Sequence, residues 1–357
     1  MPTDQIAAGS VPSRFGPLPA HPVLERLREV IDRTIAPTMT ETDRGAVPAS
    51  HLAALAGTGL FGLAIPAEYG GLGAPPEVVT EAYEMLAGAC PSTYLVASQH
   101  ATPARSILDG GGPALRELLP ALASGGLFGG AAFGHVRTWP GRRTVTARRV
   151  ADGWRFHGVA PWFSGAGLID LVLLAAIAEA ERTIIFAAVP LPRPGRVQPV
   201  PLNLAAIAGS RTVALHIHDL FVPDDDVTQL VDVDRWKGSD GRDGPTTAPG
   251  ALGLARTAIE YALTRQPDNP GLNALADEIA SLRATGPGGD PFARHAHSVN
   301  LAVRATNAAI VARGGAALLA DDPAQVWARA ATFLQVRGLS EPLRAAHLRQ
   351  LTHRTGR

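Results

Sequence analysis

The hydrophobic periodicity of this 357-residue chain switches twice, and those switches constrain its fold more than any single motif does. From His21 onward Leu24, Leu27, Ile31 and Ile35 recur at helical spacing. Ser50 precedes a short helical run over Leu52 to Ala56, punctuated by Gly57 and Gly59, and further helices fit 76–89, 91–109 and 113–124. Near Gly125-Gly126 the pattern turns to short apolar runs. Asp152-Gly153 reads as a hairpin turn into Trp154, and 169–177 and 183–189 suit buried strands. Val213, Leu215 and Ile217 alternate with Ala214, His216 and His218, a half-buried strand of period two. After the polar, Gly-rich break at 238–245 the helical period returns, with helices expected from Leu252, from Leu272, and over 291–320 and 323–352. The reading is α+β: a leader at 1–20, a helical domain at 21–125, a β domain at 126–230 and a helical domain at 231–357.

Composition excludes several function classes. Lys+Arg and Asp+Glu stand at 32 each, so there is no basic excess of the kind that neutralises nucleic-acid phosphates. With 46% hydrophobic and 18% charged residues the chain is globular in kind. No apolar stretch approaches the roughly 20 residues of a membrane helix, no signal-peptide core is present, and the cytoplasm is the default expectation. Cys90 is the one cysteine, which rules out an intrachain disulfide and a multi-cysteine metal site; its apolar surroundings suit a buried thiol.

Gly70-Gly71-Leu72-Gly73 lacks the spacing and preceding strand of a dinucleotide loop and reads as a connection. Phe163-Ser164-Gly165 lacks the flanking glycines of a hydrolase elbow. His216 and His218 share a strand face and could chelate a metal, but with no carboxylate or cysteine pattern beside them they read as solvated. His295 and His297, two apart on a helix, diverge. Asp224-Asp225-Asp226 reads as a solvated turn, and no metal site is expected.

Four strings in order resemble the acyl-CoA dehydrogenase family. They are Gly59–Gly71 (GLFGLAIPAEYGG), Asp152-Gly153-Trp154 running on to Pro161-Trp162-Phe163-Ser164, Gly209-Ser210-Arg211-Thr212 through Leu220–Pro223, and Gly250–Arg265 (GALGLARTAIEYALTR). The resemblance covers about residues 21 to 340 and implies the fold named above, with FAD as cofactor. It implies that Trp162 packs near the flavin, that the Ser164 hydroxyl bonds flavin N5, and that Phe133 lines the cofactor. By the same resemblance Arg265 reaches the FAD diphosphate of a neighbouring subunit, and Gly314-Gly315 lets backbone approach that FAD. A homodimer or homotetramer follows, with a small-molecule substrate, an acyl thioester, and an electron-transfer or flavin-reductase partner.

Three segments depart from the family pattern. The flavin and substrate loop is replaced by Ala131-Ala132-Phe133-Gly134-His135 and Arg137-Thr138, and the family's continuation after Arg265 is absent. Where many members carry the catalytic base, this chain has Val336-Arg337-Gly338-Leu339, and an arginine cannot take up a proton. The other family location for that base holds Thr246, Thr247 and Pro249, and Glu341 is matched by spacing alone. Three functions stay open: an FAD-dependent oxidoreductase acting on a CH–CH donor, with Ser164 and Arg337 in the site; a flavin-dependent monooxygenase, with His100 and Ser164 flanking the flavin; and a non-catalytic subunit of the same fold.

Overall fold

The computed structural model describes residues 10–352 apart from 12, 143, 241–247 and 286–288. The chain opens with a two-residue pair, β1 (Ser10–Val11) and β2 (Leu18–Pro19), followed by helices α1 (Pro22–Val30), α2 (Met39–Arg44), α3 (Ala49–Thr58), α4 (Pro76–Ala89), α5 (Pro91–Ser98), α6 (Ala101–Gly110), α7 (Pro113–Arg116) and α8 (Leu119–Ser124). Strands β3 (Gly129–Ala132), β4 (Val145–Val150), β5 (Gly153–Phe163), β6 (Leu171–Ala178), β7 (Thr183–Pro190), β8 (Val197–Pro201), β9 (Val213–Pro223) and β10 (Val227–Asp232) come next. The helices α9 (Val233–Ser239), α10 (Pro249–Leu263), α11 (Pro270–Ala284), α12 (Pro291–Arg313), α13 (Pro323–Leu334) and α14 (Glu341–Thr352) complete it. This helical, sheet, helical order is the α+β class read from the periodicity.

By contacts the chain divides into two compact units, one of residues 1–40, 74–91 and 245–357, the other of 41–73 and 92–244. The first is helical. Its centre is α10, whose buried Leu252, Leu254, Ala255 and Ile259 pack on α4 and α12. A Cβ on Gly253 would stand 2.0 Å from the Glu84 carbonyl oxygen, so the α4–α10 crossing depends on glycine there. Inside this crossing lies a buried charge cluster. Glu81 and Glu84, one turn apart on α4, meet Arg256 of α10 and Arg283 of α11, with N···O distances of 2.5 to 3.0 Å. Arg283 also donates to the Phe15 carbonyl at 2.8 Å, which ties the buried Phe15 of the leader to the bundle.

The second unit is built on an eight-stranded sheet in the order β10-β7-β6-β4-β5-β9-β8, with β3 parallel to β6. β6 is buried at every position and β7 at six of eight, because apolar groups cover both faces. The Asp152-Gly153 turn joins β4 to β5 in register Val150↔Gly153, as the sequence indicates. One face is covered by α6 and α8 through Ile107, Leu119 and Leu122. The other carries Val136, Leu173, Ile177, Phe186 and Val233.

Local differences from the sequence reading have physical causes. The helix expected over 91–109 breaks at Gln99-His100, where His100 turns its ring inward to satisfy two backbone groups. The helix expected over 291–320 ends at Arg313, because Gly314 takes a positive φ of 74° and the next residues tighten to a 3₁₀ turn. The stretch 323–352 is two helices, parted around Gly338 at φ 62°. Strands β8 and β10 and helix α9 were not expected; β8 and β10 are short outer strands with exposed positions and little apolar alternation. The break at 238–245 lies outside the described residues from 241 onward.

Candidate functional site

Within the sheet unit, the site residues gather where β5 ends. Period two along β5 turns Phe163 into the core, 1% exposed, and leaves the neighbouring Trp162 ring 62% exposed. The chain then turns, and Ser164 comes back inside. Its Oγ lies 2.8 Å from Thr212 Oγ1, which lies 2.7 Å from Ser210 Oγ, so three buried hydroxyls form one row. The backbone stitches the same segments together. Gly165 N–H donates to the Ser210 carbonyl at 2.9 Å and Ala166 N–H to that of Arg211 at 3.2 Å. Ser210 and Thr212 went unremarked as chemistry in the sequence, although they stand inside the Gly209–Thr212 string; no spacing rule places them beside Ser164.

Phe133 is half-buried, packed edge-on against Phe186 with ring centroids 5.8 Å apart. The segment after it is fixed by Arg137, which makes a bidentate pair with Asp240 at 2.6 and 2.7 Å. The guanidinium also lies 5.8 Å from the Phe133 ring centroid and 5.5 Å from that of Trp236. The charge of Arg137 is thereby matched inside the fold. His135 is buried and its Nε2 donates to the Ala175 carbonyl at 3.1 Å; burial lowers its pKa to about 4.

His100 is 2% exposed and 4.5 Å from the Phe61 ring. Gly129 N–H donates to its Nδ1 at 3.0 Å, so Nδ1 carries no proton and Nε2–H donates to the Leu122 carbonyl at 3.0 Å. Both ring nitrogens are committed to protein groups, and burial lowers the pKa to about 4. His216, half-buried, and His218, exposed, have ring centroids 6.4 Å apart, and His157 of β5 stands 6.1 Å from His218. Among the described residues no group of three ligating side chains has the geometry to hold a metal.

The helical unit carries the other candidates. Arg265, just past α10, folds back on its own helix: Nη1 donates to the Tyr261 carbonyl and to Thr264 Oγ1, both at 3.0 Å, and the guanidinium lies 3.8 Å over the Tyr261 ring. Gly314 and Gly315 form an open turn, with nothing near the position a Cβ would take. Arg337 lies half-buried in the turn between α13 and α14, its N–H on the Phe333 carbonyl. Its neighbours include His295, whose pKa is lowered to about 4 by burial first, then by the charges of His347 and Arg337. Glu341 points to solvent, 84% exposed, and pairs with Arg344.

Comparison with known proteins adds a likeness to one family. The model of the acyl-CoA dehydrogenase N-terminal domain matches residues 21–126. The human mitochondrial short-chain specific acyl-CoA dehydrogenase is 25% identical over 260 residues, covering 68% of this chain and 61% of that enzyme. Butyryl-CoA dehydrogenase from Megasphaera elsdenii superposes with a TM-score of 0.76 at 19% identity, over 93% of this chain and 97% of that one. Over residues 21–126 this chain is similar to the acyl-CoA dehydrogenase N-terminal domain, and its fold is acyl-CoA dehydrogenase-like. The acyl-CoA dehydrogenase-like fold also matches that of the 3-HSA hydroxylase from Rhodococcus sp. RHA1, with a TM-score of 0.71 at 17% identity over 93% and 97% of the two chains. Fold alone therefore does not choose between dehydrogenation and hydroxylation. No helix among the described residues is long and apolar enough to cross a membrane.

Proposed function

We propose that this chain is an FAD-dependent oxidoreductase of acyl-CoA dehydrogenase type that takes a hydride from a CH–CH donor, an acyl thioester. The observation that carries this reading is the end of β5, where an exposed Trp162 ring stands next but one to a buried Ser164 hydroxyl with one hydrogen bond. A large flat aromatic face left to solvent is surface that a planar ring system covers well. The hydroxyl retains capacity for a further bond. This pair fits a flavin, which when bound supplies a hydride acceptor at N5.

In this reading Trp162 holds the ring system, Ser164 orients toward N5 and Phe133 lines the cofactor. Arg265 unfolds from Tyr261 to meet the diphosphate of a neighbouring subunit's FAD, and the Gly314-Gly315 turn admits that FAD to the backbone. Arg337 holds a fixed positive charge where the resemblance seeks a base, and it serves to bind an anionic group of the substrate. The test is titration of the purified protein with FAD, followed by absorbance and by quenching of flavin fluorescence. Saturable binding is expected, weakened about tenfold in Trp162→Ala by the loss of aromatic contact. A protein with no affinity for FAD would sink the proposal and leave the non-catalytic reading.

A flavin-dependent monooxygenase is the second reading, favoured by Arg337, since oxygenation needs no carboxylate base. Here His100 would flank the flavin, and its ring would first have to leave Gly129 or Leu122. Dependence of turnover on a flavin reductase separates this reading from the first.

A further inference from the structure

The row Ser210–Thr212–Ser164 has a direction that follows from counting protons. Three hydroxyls carry three protons, and the two bonds between them use two. One proton is left over, and its position is not free. If Ser164 donated to Thr212 and Thr212 to Ser210, the spare O–H would belong to Ser210, which is 0% exposed and has no other hydrogen-bond partner for its Oγ among the described residues. If both serines donated to Thr212, the threonine's own proton would have no acceptor. A buried donor without a partner carries the full desolvation penalty of that group. The remaining arrangement has Ser210 donate to Thr212 and Thr212 donate to Ser164. The spare proton then belongs to Ser164, which is buried like its partners but in the proposed function is the one hydroxyl of the three with an acceptor to meet, flavin N5 beside the exposed Trp162.

The loop that carries the row is braced to keep it in place. Ile207 and Arg211 hold positive φ values of 51° and 52°, a region costly for a side chain with a Cβ and most of all for a β-branched one. Such backbone persists only where neighbours hold it. Val47 N–H donates to the Gly209 carbonyl at 2.8 Å, and Arg211 Nε donates to the Val47 carbonyl at 2.9 Å. A Cβ on Gly209 would lie 1.8 Å from the Thr42 carbonyl oxygen, so the loop lies flat against α2.

From this geometry we infer that Thr212 is a positioning residue that polarises Ser164, so that the Ser164 hydroxyl presents a proton outward and binds the oxidised flavin in preference to the reduced one. The inference rests on the reading of Ser164 as the residue that faces flavin N5. N5 of the oxidised ring accepts a hydrogen bond, which suits an outward proton. In the reduced ring N5 carries a hydrogen and donates. Ser164 could then accept only by turning its own proton away from N5 with no acceptor for it, or by reversing the row and stranding a proton at Ser210. The row therefore lowers the midpoint potential of the bound flavin, and its effect extends to a residue that need not touch the cofactor.

The experiment is the titration of apoprotein with oxidised and with reduced FAD, together with the midpoint potential of the bound flavin, for wild type, Thr212→Val, Thr212→Ser and Ser164→Ala. Thr212→Val keeps the shape and removes the hydroxyl. It is expected to weaken oxidised FAD relative to reduced FAD about 5- to 10-fold, the net worth of one hydrogen bond, and to raise the potential. Thr212→Ser restores the hydroxyl and is expected to restore both values, which a loss of packing alone would not do. Should the valine variant fail to fold by circular dichroism, Thr212→Cys, with its weak S–H donor, is measured in its place. An unchanged ratio and potential in Thr212→Val, with Ser164→Ala altered, would overturn the role of Thr212 while sparing that of Ser164. No change in Ser164→Ala would remove the reading on which the inference rests, and the inference with it.

Discussion

At the scale of single residues, two buried histidines make the fold sensitive to acid. His100 and His135 are neutral in the native state, their pKa values brought to about 4 by burial against an ordinary value of 6.5. Between those values the unfolded chain binds protons that the native chain refuses, so stability rises with pH across the window. The contribution is fully present above about pH 6.5 and is lost as pH falls toward 4, on the order of 3 kcal/mol for each histidine. Urea midpoints measured from pH 7.5 to 4.5 are expected to fall steeply, and less steeply in His135→Gln; equal slopes would count against it. Arg337 sets a second expectation. A positioned base contributes about 10²–10⁴-fold, so wild type with FAD bound is expected to be bleached slowly by simple acyl-CoA thioesters under anaerobic conditions. Rapid bleaching would mean that another residue takes the α-proton. The sequence made Arg337 legible as a misfit, but the inward turn of the His100 ring depends on Gly129 and Leu122, which only folding brings near it.

At the scale of elements, the α4–α10–α11 crossing depends on charges that cancel each other. Glu81 and Glu84 are 1% and 2% exposed, and each is bonded by Arg256 and Arg283. Removing one carboxylate leaves two guanidinium groups buried with half their partners, which costs about 3–5 kcal/mol in buried pairs. Glu84→Ala is therefore expected to lower the thermal midpoint by about 4–7 °C, given roughly 1.3 °C for each kcal/mol in a chain of this size. Arg33→Ala, which removes an exposed i,i+4 pair with Glu29, is expected to change it little. Differential scanning calorimetry distinguishes the two. Nothing in the local sequence of α4 marks these glutamates as buried; their spacing of three fits an exposed helix face as well as a buried one, and the partners lie 172 to 202 residues away.

At the scale of the whole molecule, the proposal that Arg265 and Gly314-Gly315 serve a neighbour's FAD calls for a second copy of the chain. Val311, Leu318 and Leu319 are 80%, 77% and 60% exposed and flank the Gly314-Gly315 turn. Apolar groups left to solvent this fully, next to residues assigned to a neighbour's FAD, suit a self-complementary interface. Light scattering at micromolar concentration is expected to give a dimer or tetramer, and Val311→Lys with Leu318→Lys is expected to shift it toward monomer and to weaken FAD binding. A wild-type monomer with FAD bound would refute the arrangement.

By itself the sequence determined the class of fold, because the change of period from 3.6 to 2 and back is a local property that survives without knowledge of any contact. It also determined the turn at Asp152-Gly153 and the apolar runs that became β6 and β7, since these rest on neighbouring residues, while Trp162 and Ser164 became candidates through the family resemblance of their segment. Only the tertiary structure decided where the long helices break, because a positive φ at Gly314 or Gly338 is permitted to any glycine and required of few. The tertiary structure alone joined Ser210 and Thr212 to Ser164 across 46 and 48 positions, through the antiparallel pairing of β5 with β9. A hydrogen bond between side chains has no signature in sequence until the strands that carry them are in register.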